Sequence, residues 1–136
     1  MPVFRIYVEK KPEFAVEADA VRHDLKASLG LPIEGVRFFN RYDVEGIDSE
    51  TFKTASRTIF SEPAVDVTSS ELPALGENQR LLAVEYLPGQ FDQRADSCEQ
   101  CIQIMTQGER PQVRNARIYL IDGSLSEEDM AAVKSH

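Results

Sequence analysis

Polar and apolar residues alternate from Val3 to Glu9, and β-formers dominate, so this stretch predicts a strand. Lys10-Lys11-Pro12-Glu13 interrupts it. From Phe14 to Leu29 the apolar positions Phe14, Ala18, Val21, Leu25 and Leu29 recur every three or four residues, which predicts a helix face. Gly30 suits its C-cap, and Pro32 prevents continuation. Val36 to Val44 predicts a second strand, with Val36, Phe38, Tyr42 and Val44 on one side and Phe39 on the other. A strand apolar on both sides is usually covered on both sides. Glu45-Gly46 predicts a turn, and Asp48 or Ser49 can cap a short helix from Glu50 to Phe60. That helix would present Phe52, Ala55 and Ile59 on one face and stop at Pro63. Val65 to Thr68 predicts a third, short strand. Residues 69–79, with Pro73 and Gly76, predict a linker.

The pattern then recurs. Sliding the chain by 77 positions aligns residues 14–50 with 91–127 without a gap, giving nine identities in 37 positions. Phe14 meets Phe91, Ala18 meets Ala95, and Asp19 meets Asp96. Val36-Arg37 meets Val113-Arg114, Tyr42 meets Tyr119, Gly46 meets Gly123, and Ser49-Glu50 meets Ser126-Glu127. The identities fall at equivalent places: Phe and Ala on the predicted helix core face, Gly in the turn, Ser before the next helix. The second half therefore predicts a strand at Leu81–Tyr86, a helix at Phe91–Thr106, a strand at Val113–Ile121 and a helix from Ser126 onward. Ala95, Cys98, Ile102 and Met105 would form the helix face.

The expected organisation is one unit over residues 1–136: a first half (1–68), the linker, and a second half (80–136) incomplete at its C-terminus. The counterpart of strand 65–68 would fall near 142–145, so the chain is expected to be a fragment of a longer protein. The expected fold is α+β, two pseudo-twofold-related halves of β-α-β-α-β type with antiparallel sheets packed by helices. Each half alone would have a marginal core.

Charge and composition narrow the function. The net charge is −8, and the basic residues are scattered, so the phosphate-neutralising stripe of a nucleic-acid binder is missing. Phe38 and Phe39 invite comparison with base-stacking RNA modules, but the acidic balance argues against it. No apolar run approaches the length of a membrane span, and no signal peptide is visible, so a cytoplasmic setting is expected. Cys98 and Cys101 have Cys-x-x-Cys spacing, yet they lie inside a helical pattern rather than at a helix start. The only histidines are His23 and His136, so neither a metal site nor redox chemistry is expected, and Cys98 reads as a small core residue.

The densest polar run is Gln90-Phe91-Asp92-Gln93-Arg94-Ala95-Asp96, following the turn Leu87-Pro88-Gly89. The string Leu87 to Ser97, then Cys101-Ile102-Gln103 and Thr106-Gln107-Gly108-Glu109-Arg110-Pro111, resembles the N-terminal PurS-like domain of large-type phosphoribosylformylglycinamidine synthase, also called formylglycinamide ribonucleotide amidotransferase or PurL. Val36-Arg37 and Tyr42 to Gly46 fit the same domain, and the resemblance spans essentially the whole chain. It implies two fused copies of a PurS-like unit, in agreement with the repeat. It also implies a parent ligase of purine biosynthesis that uses ATP, magnesium and glutamine to make formylglycinamidine ribonucleotide. In such a parent a glutaminase domain releases ammonia and a synthetase domain activates the amide. The PurS-like domain would dock both and help organise ammonia passage.

None of that chemistry is written in these residues, so the chain itself is expected to be non-catalytic and to need no cofactor. Asp96 has the counterpart Asp19, which suggests a role in the fold, for instance pairing with an arginine. Gln93 and Arg94 have the unlike counterparts Val16 and Glu17. Gln90, Asp92, Gln93 and Arg94 are therefore the candidate docking residues, arginine being well suited to such contacts. An exposed docking surface would also favour self-association of the fragment. The alternatives are a free-standing tandem ferredoxin-like domain that senses a small molecule between its halves, and a separate PurS-like subunit.

Overall fold

The computed structural model describes residues 3–87 and 90–135. The alternating stretches form strands at Val3–Lys10 (β1), Ile33–Glu45 (β2), Asp66–Ser69 (β3), Gln79–Glu85 (β4) and Gln112–Gly123 (β5). The periodic stretches form helices at Val16–Leu29 (α1), Ser49–Thr58 (α2), Gln93–Thr106 (α3) and Glu127–Ser135 (α4). The local signals act as read. Gly30 closes α1 in the left-handed conformation at φ 65°. Asp48 caps α2 by accepting from the Thr51 N–H at 2.7 Å. Ser126 and Asp129 satisfy each other's backbone N–H groups at the start of α4.

One start differs. Residues 12–14 form a 3-10 turn, and α1 begins only at Val16. Likewise α3 begins at Gln93, after its cap Asp92. Phe14 and Phe91 therefore precede their helices and are exposed, not core residues, because the capping turn carries them off the buried stripe. Met105, the last position expected on the α3 face, is 38% exposed for a similar reason: it lies in the final turn.

All five strands join one antiparallel sheet in the order β3-β1-β2-β5-β4. The two long strands β2 and β5 pair at its centre, so the halves extend a single sheet. The register encodes the repeat. Asn40 lies opposite Arg117, its own counterpart 77 positions on. A pseudo-twofold axis therefore passes through that pair. Ile6 faces Tyr42 while Leu82 faces Tyr119, which makes Leu82 the counterpart of Ile6. The offset for the first strands is thus 76, one residue having been lost before the helix.

The helices pack on one face in two crossed pairs. Ala55 of α2 and Ala95, Cys98 and Ile102 of α3 cover Ile6, Val8, Tyr42, Val44 and Val113. Leu25 of α1 and Met130 and Val133 of α4 cover Ile33 and Ile121 at the other end. Ile102 is fully buried, a contribution of roughly 1.5–3 kcal/mol. The opposite face carries a smaller core of Tyr7, Phe39, Ala116, Ile118 and Leu120, with Leu72 packed on it. Leu72 belongs to the linker, which joins the β3 edge to the β4 edge and so must cross the sheet on this side. This explains the two-sided apolar pattern of the central strands: helices cover one face and the linker covers the other. No described helix is long and apolar enough to cross a membrane.

Candidate functional site

The polar run occupies the connection from β4 to α3. The Pro88-Gly89 part of the predicted turn lies outside the described residues. Its flanks are tied together: the Gln90 N–H donates to the Leu87 carbonyl at 3.0 Å, and the Leu87 N–H donates to Gln90 Oε1 at 2.7 Å. Asp92 is the N-cap of α3 and accepts from the Ala95 N–H at 3.0 Å, where the helix dipole also favours a carboxylate. Two of the four candidate residues thus shape the chain locally.

The other two point into a hollow. Gln93 and Arg94 line a space of about 780 Å³ together with Tyr42, Phe60, Tyr86 and Arg117. Arg94 Nη1 donates to the Tyr42 hydroxyl at 3.3 Å. Burial raises the pKa of Tyr42, which keeps that phenol protonated. Arg117 is held by Tyr86 and Tyr119, whose hydroxyls raise its pKa. Both arginines therefore sit against tyrosine hydroxyls. A neighbouring hollow of about 700 Å³ near the start of α1 shares Tyr42, Phe60, Asp66 and Arg94. Buried Asp66 accepts from the Glu62 N–H at 2.7 Å, and its other oxygen lies 2.9 Å from Lys10 Nζ, an ion pair without hydrogen-bond alignment.

Gln90 and Asp92 face elsewhere. They line a separate hollow of about 620 Å³ with Arg5, Arg41, Glu85 and Arg114. A chain of ion pairs runs along it: Arg5 to Asp43 at 2.6 Å, Asp43 to Arg41 at 3.5 Å, and Arg41 to Glu85. The first turn of α3 and the residues just before it thus lie between two hollows, Gln93 and Arg94 lining one and Gln90 and Asp92 the other.

The connection from β4 to α3 also carries exposed apolar side chains. Leu87 is 67% exposed and Phe91 is 70% exposed, next to half-exposed Tyr86. The helical alignment hid this by placing Phe91 in the core. The available signal was Asp92, a favoured cap residue, which places Phe91 before the helix and outside its periodic face. Arg117 was also missed. Its signal is a charge on the same alternation as Val113, Asn115, Tyr119 and Ile121.

Asp96 does pair with an arginine. Arg110 reaches both Asp96 and Glu99, the latter at 2.8 Å, and Glu99 also accepts the Val113 N–H at 2.9 Å. This fastens α3 to the start of β5. Cys98 is buried, and burial pushes its thiol up to about 12, which leaves it a core group rather than a nucleophile. Cys101 is exposed, so the two thiols occupy different environments. Among the described residues no group of three His, Cys, Asp or Glu side chains converges to hold a metal ion.

No known protein family, curated protein or solved structure matches the chain. What the geometry offers is hydrogen bonding, two arginines and exposed apolar side chains.

Proposed function

We propose that this chain is the N-terminal structural and docking domain of a glutamine-dependent, ATP- and magnesium-using ligase of purine biosynthesis, the phosphoribosylformylglycinamidine synthase it resembles. In this role it holds the synthetase and glutaminase domains in place and helps keep ammonia on its path between them. The chain performs no chemical step itself. The observation that carries the reading is that Leu87 and Phe91, close in sequence to Gln93 and Arg94, are both largely exposed. Large apolar side chains flanked by arginine and amides suit the core and rim of a protein contact. The fused two-half architecture agrees with the two PurS-like copies that the resemblance implies.

The test is to mix residues 1–136 with the synthetase and glutaminase domains encoded in the same genome, separately expressed. Binding, with recovery of glutamine-dependent formation of formylglycinamidine ribonucleotide, is expected. Leu87→Asp with Phe91→Asp should abolish it. Absence of both binding and recovery with the unaltered chain overturns the proposal.

A second reading is a sensor of small molecules. It draws on the hollow of about 780 Å³ that holds Arg94 and Arg117 beside the pseudo-twofold axis. Saturable binding of an amino acid or nucleotide by the isolated chain would favour it.

A further inference from the structure

The hollow of about 780 Å³ is richer in hydrogen-bond donors than in acceptors. Its charged lining is Lys10, Arg94 and Arg117 against Glu62 and Asp66. Lys10 and Asp66 lie 2.9 Å apart and neutralise each other. Two arginines then face the single carboxylate of Glu62, a positive balance in a chain of net charge −8. Elsewhere the arginines reach carboxylates: Arg5, Arg37, Arg41, Arg80 and Arg110 each form an ion pair. Arg94 and Arg117 meet phenol hydroxyls instead, and among the described residues neither has a carboxylate within ion-pair distance.

Those phenols are donors too. Tyr42 is only 3% exposed, and its oxygen accepts an N–H from Arg94. The Tyr42 O–H is therefore left to donate elsewhere, and no acceptor for it lies within reach among the described residues. A buried donor without an acceptor is unfavourable until something supplies one. Arg94 itself has engaged one of the five N–H groups that a guanidinium carries. The arginine pair belongs to one half alone, since Glu17 and Asn40 stand at the counterpart positions. Apolar surface adjoins it. Phe60, 4% exposed, lines both this hollow and the neighbouring one of about 700 Å³. Each space has the size of a small-molecule site.

We infer that the larger hollow binds a small organic oxyanion, a carboxylate or a phosphate monoester, with its charged oxygens on Arg94, Arg117 and the Tyr42 hydroxyl and its aromatic or apolar body against Phe60. The guanidinium fork matches either head group, and both are acceptors without donors of their own at the charged oxygens. The inference rests on the second reading above, that a small molecule enters this hollow, and adds the chemistry that the molecule carries.

An NMR titration of residues 1–136 at constant ionic strength tests it, with phenyl phosphate, benzoate and uncharged phenol as probes. Phenyl phosphate or benzoate should bind saturably and shift the amides of Tyr42, Arg94 and Arg117, and the tighter of the two identifies the head group. Phenol should bind at least about tenfold more weakly. Arg94→Gln, Arg117→Gln and Tyr42→Phe should each weaken the anion by roughly tenfold, the loss of one charge-assisted contact. Leu87→Asp with Phe91→Asp, which removes the docking residues, should leave anion binding unchanged. Phenol bound as tightly as the anions overturns the inference while the second reading stands. Anion binding that all three of the weakening substitutions leave intact overturns it too, as does the absence of saturable binding by either anion.

Discussion

Arg94, in the first turn of α3, donates to the hydroxyl of Tyr42 on β2, 3.3 Å away. The contact ties the second half's helix to the first half's central strand. The bond links an exposed guanidinium to a neutral phenol, so its net worth is about 0.5–1.5 kcal/mol. Arg94→Ala should leave the chain folded, with urea unfolding shifted by no more than that amount. Binding to the synthetase and glutaminase domains should weaken by about tenfold or more, as for an arginine at the centre of an interface. If Arg94→Ala unfolds the chain, the residue serves the fold and its docking role is lost.

The two long helices close in the same backbone conformation with different residues. Gly30 ends α1 at φ 65°, and its counterpart Gln107 ends α3 at φ 54°. A side chain at that conformation costs about 1 kcal/mol. Gln107→Gly is therefore expected to stabilise the chain by roughly 0.5–1 kcal/mol, read as a higher urea midpoint at unchanged m-value. A lower midpoint would mean that the glutamine side chain contributes more than its backbone costs.

Gly123 sits at φ 152°, and a Cβ there would lie 2.3 Å from the Pro32 carbonyl oxygen. Both atoms next to the clash are backbone, so no side chain can swing away. Gly123→Ala should cost on the order of 2–4 kcal/mol in thermal or urea unfolding. Gly46→Ala, whose Cβ would meet Pro111 at 3.5 Å, should cost less, its φ of 97° being the main burden.

Burial holds the Cys98 thiol at about 12, against 9.0 when unperturbed. Below pH 9 the thiol is protonated in both folded and unfolded chains, so it adds no pH dependence there. Above pH 9 the unfolded chain releases this proton and the folded chain keeps it. Stability should therefore fall as pH rises from about 9 towards about 12, by at most about 1.4 kcal/mol per pH unit from this group. Tyr42, also raised by burial, acts in the same direction. Cys98→Ala should flatten the slope measured by urea unfolding at several alkaline pH values. An unchanged slope would exclude Cys98 as the cause.

Much of the fold was legible because local signals and periodicity agreed. The alternation in β1 and β2, the caps Asp48 and Ser126, and the terminating Gly30 each act as their chemistry suggests. The repeat showed two like halves but not which strands join them; that is decided by the β2–β5 register, which brings Asn40 opposite Arg117. The helix starts were harder. Phe14 and Phe91 continue the three-to-four spacing, but capping geometry is decided by the residue that supplies the hydrogen bond, and Asp92 does so one place later. The site was only half legible for a related reason. Gln90, Asp92, Gln93 and Arg94 lie within five positions, yet they line two different hollows. Which hollow each side chain enters depends on the sheet beneath, through Tyr42, Arg117 and Arg41, residues far away in the chain.

The pair on the pseudo-twofold axis has a consequence for how such a protein can change over time. In a dimer of identical chains, a residue on the axis must face a copy of itself. Arginine facing arginine would set like charges directly across two strands, an unfavourable arrangement. Once both copies lie in one chain, each can be altered without the other. Asn40 opposite Arg117 is a combination open to a fused chain and closed to a symmetric pair. The same freedom extends outwards to Glu17 and Arg94, and so allows one half to carry a contact surface that the other half lacks.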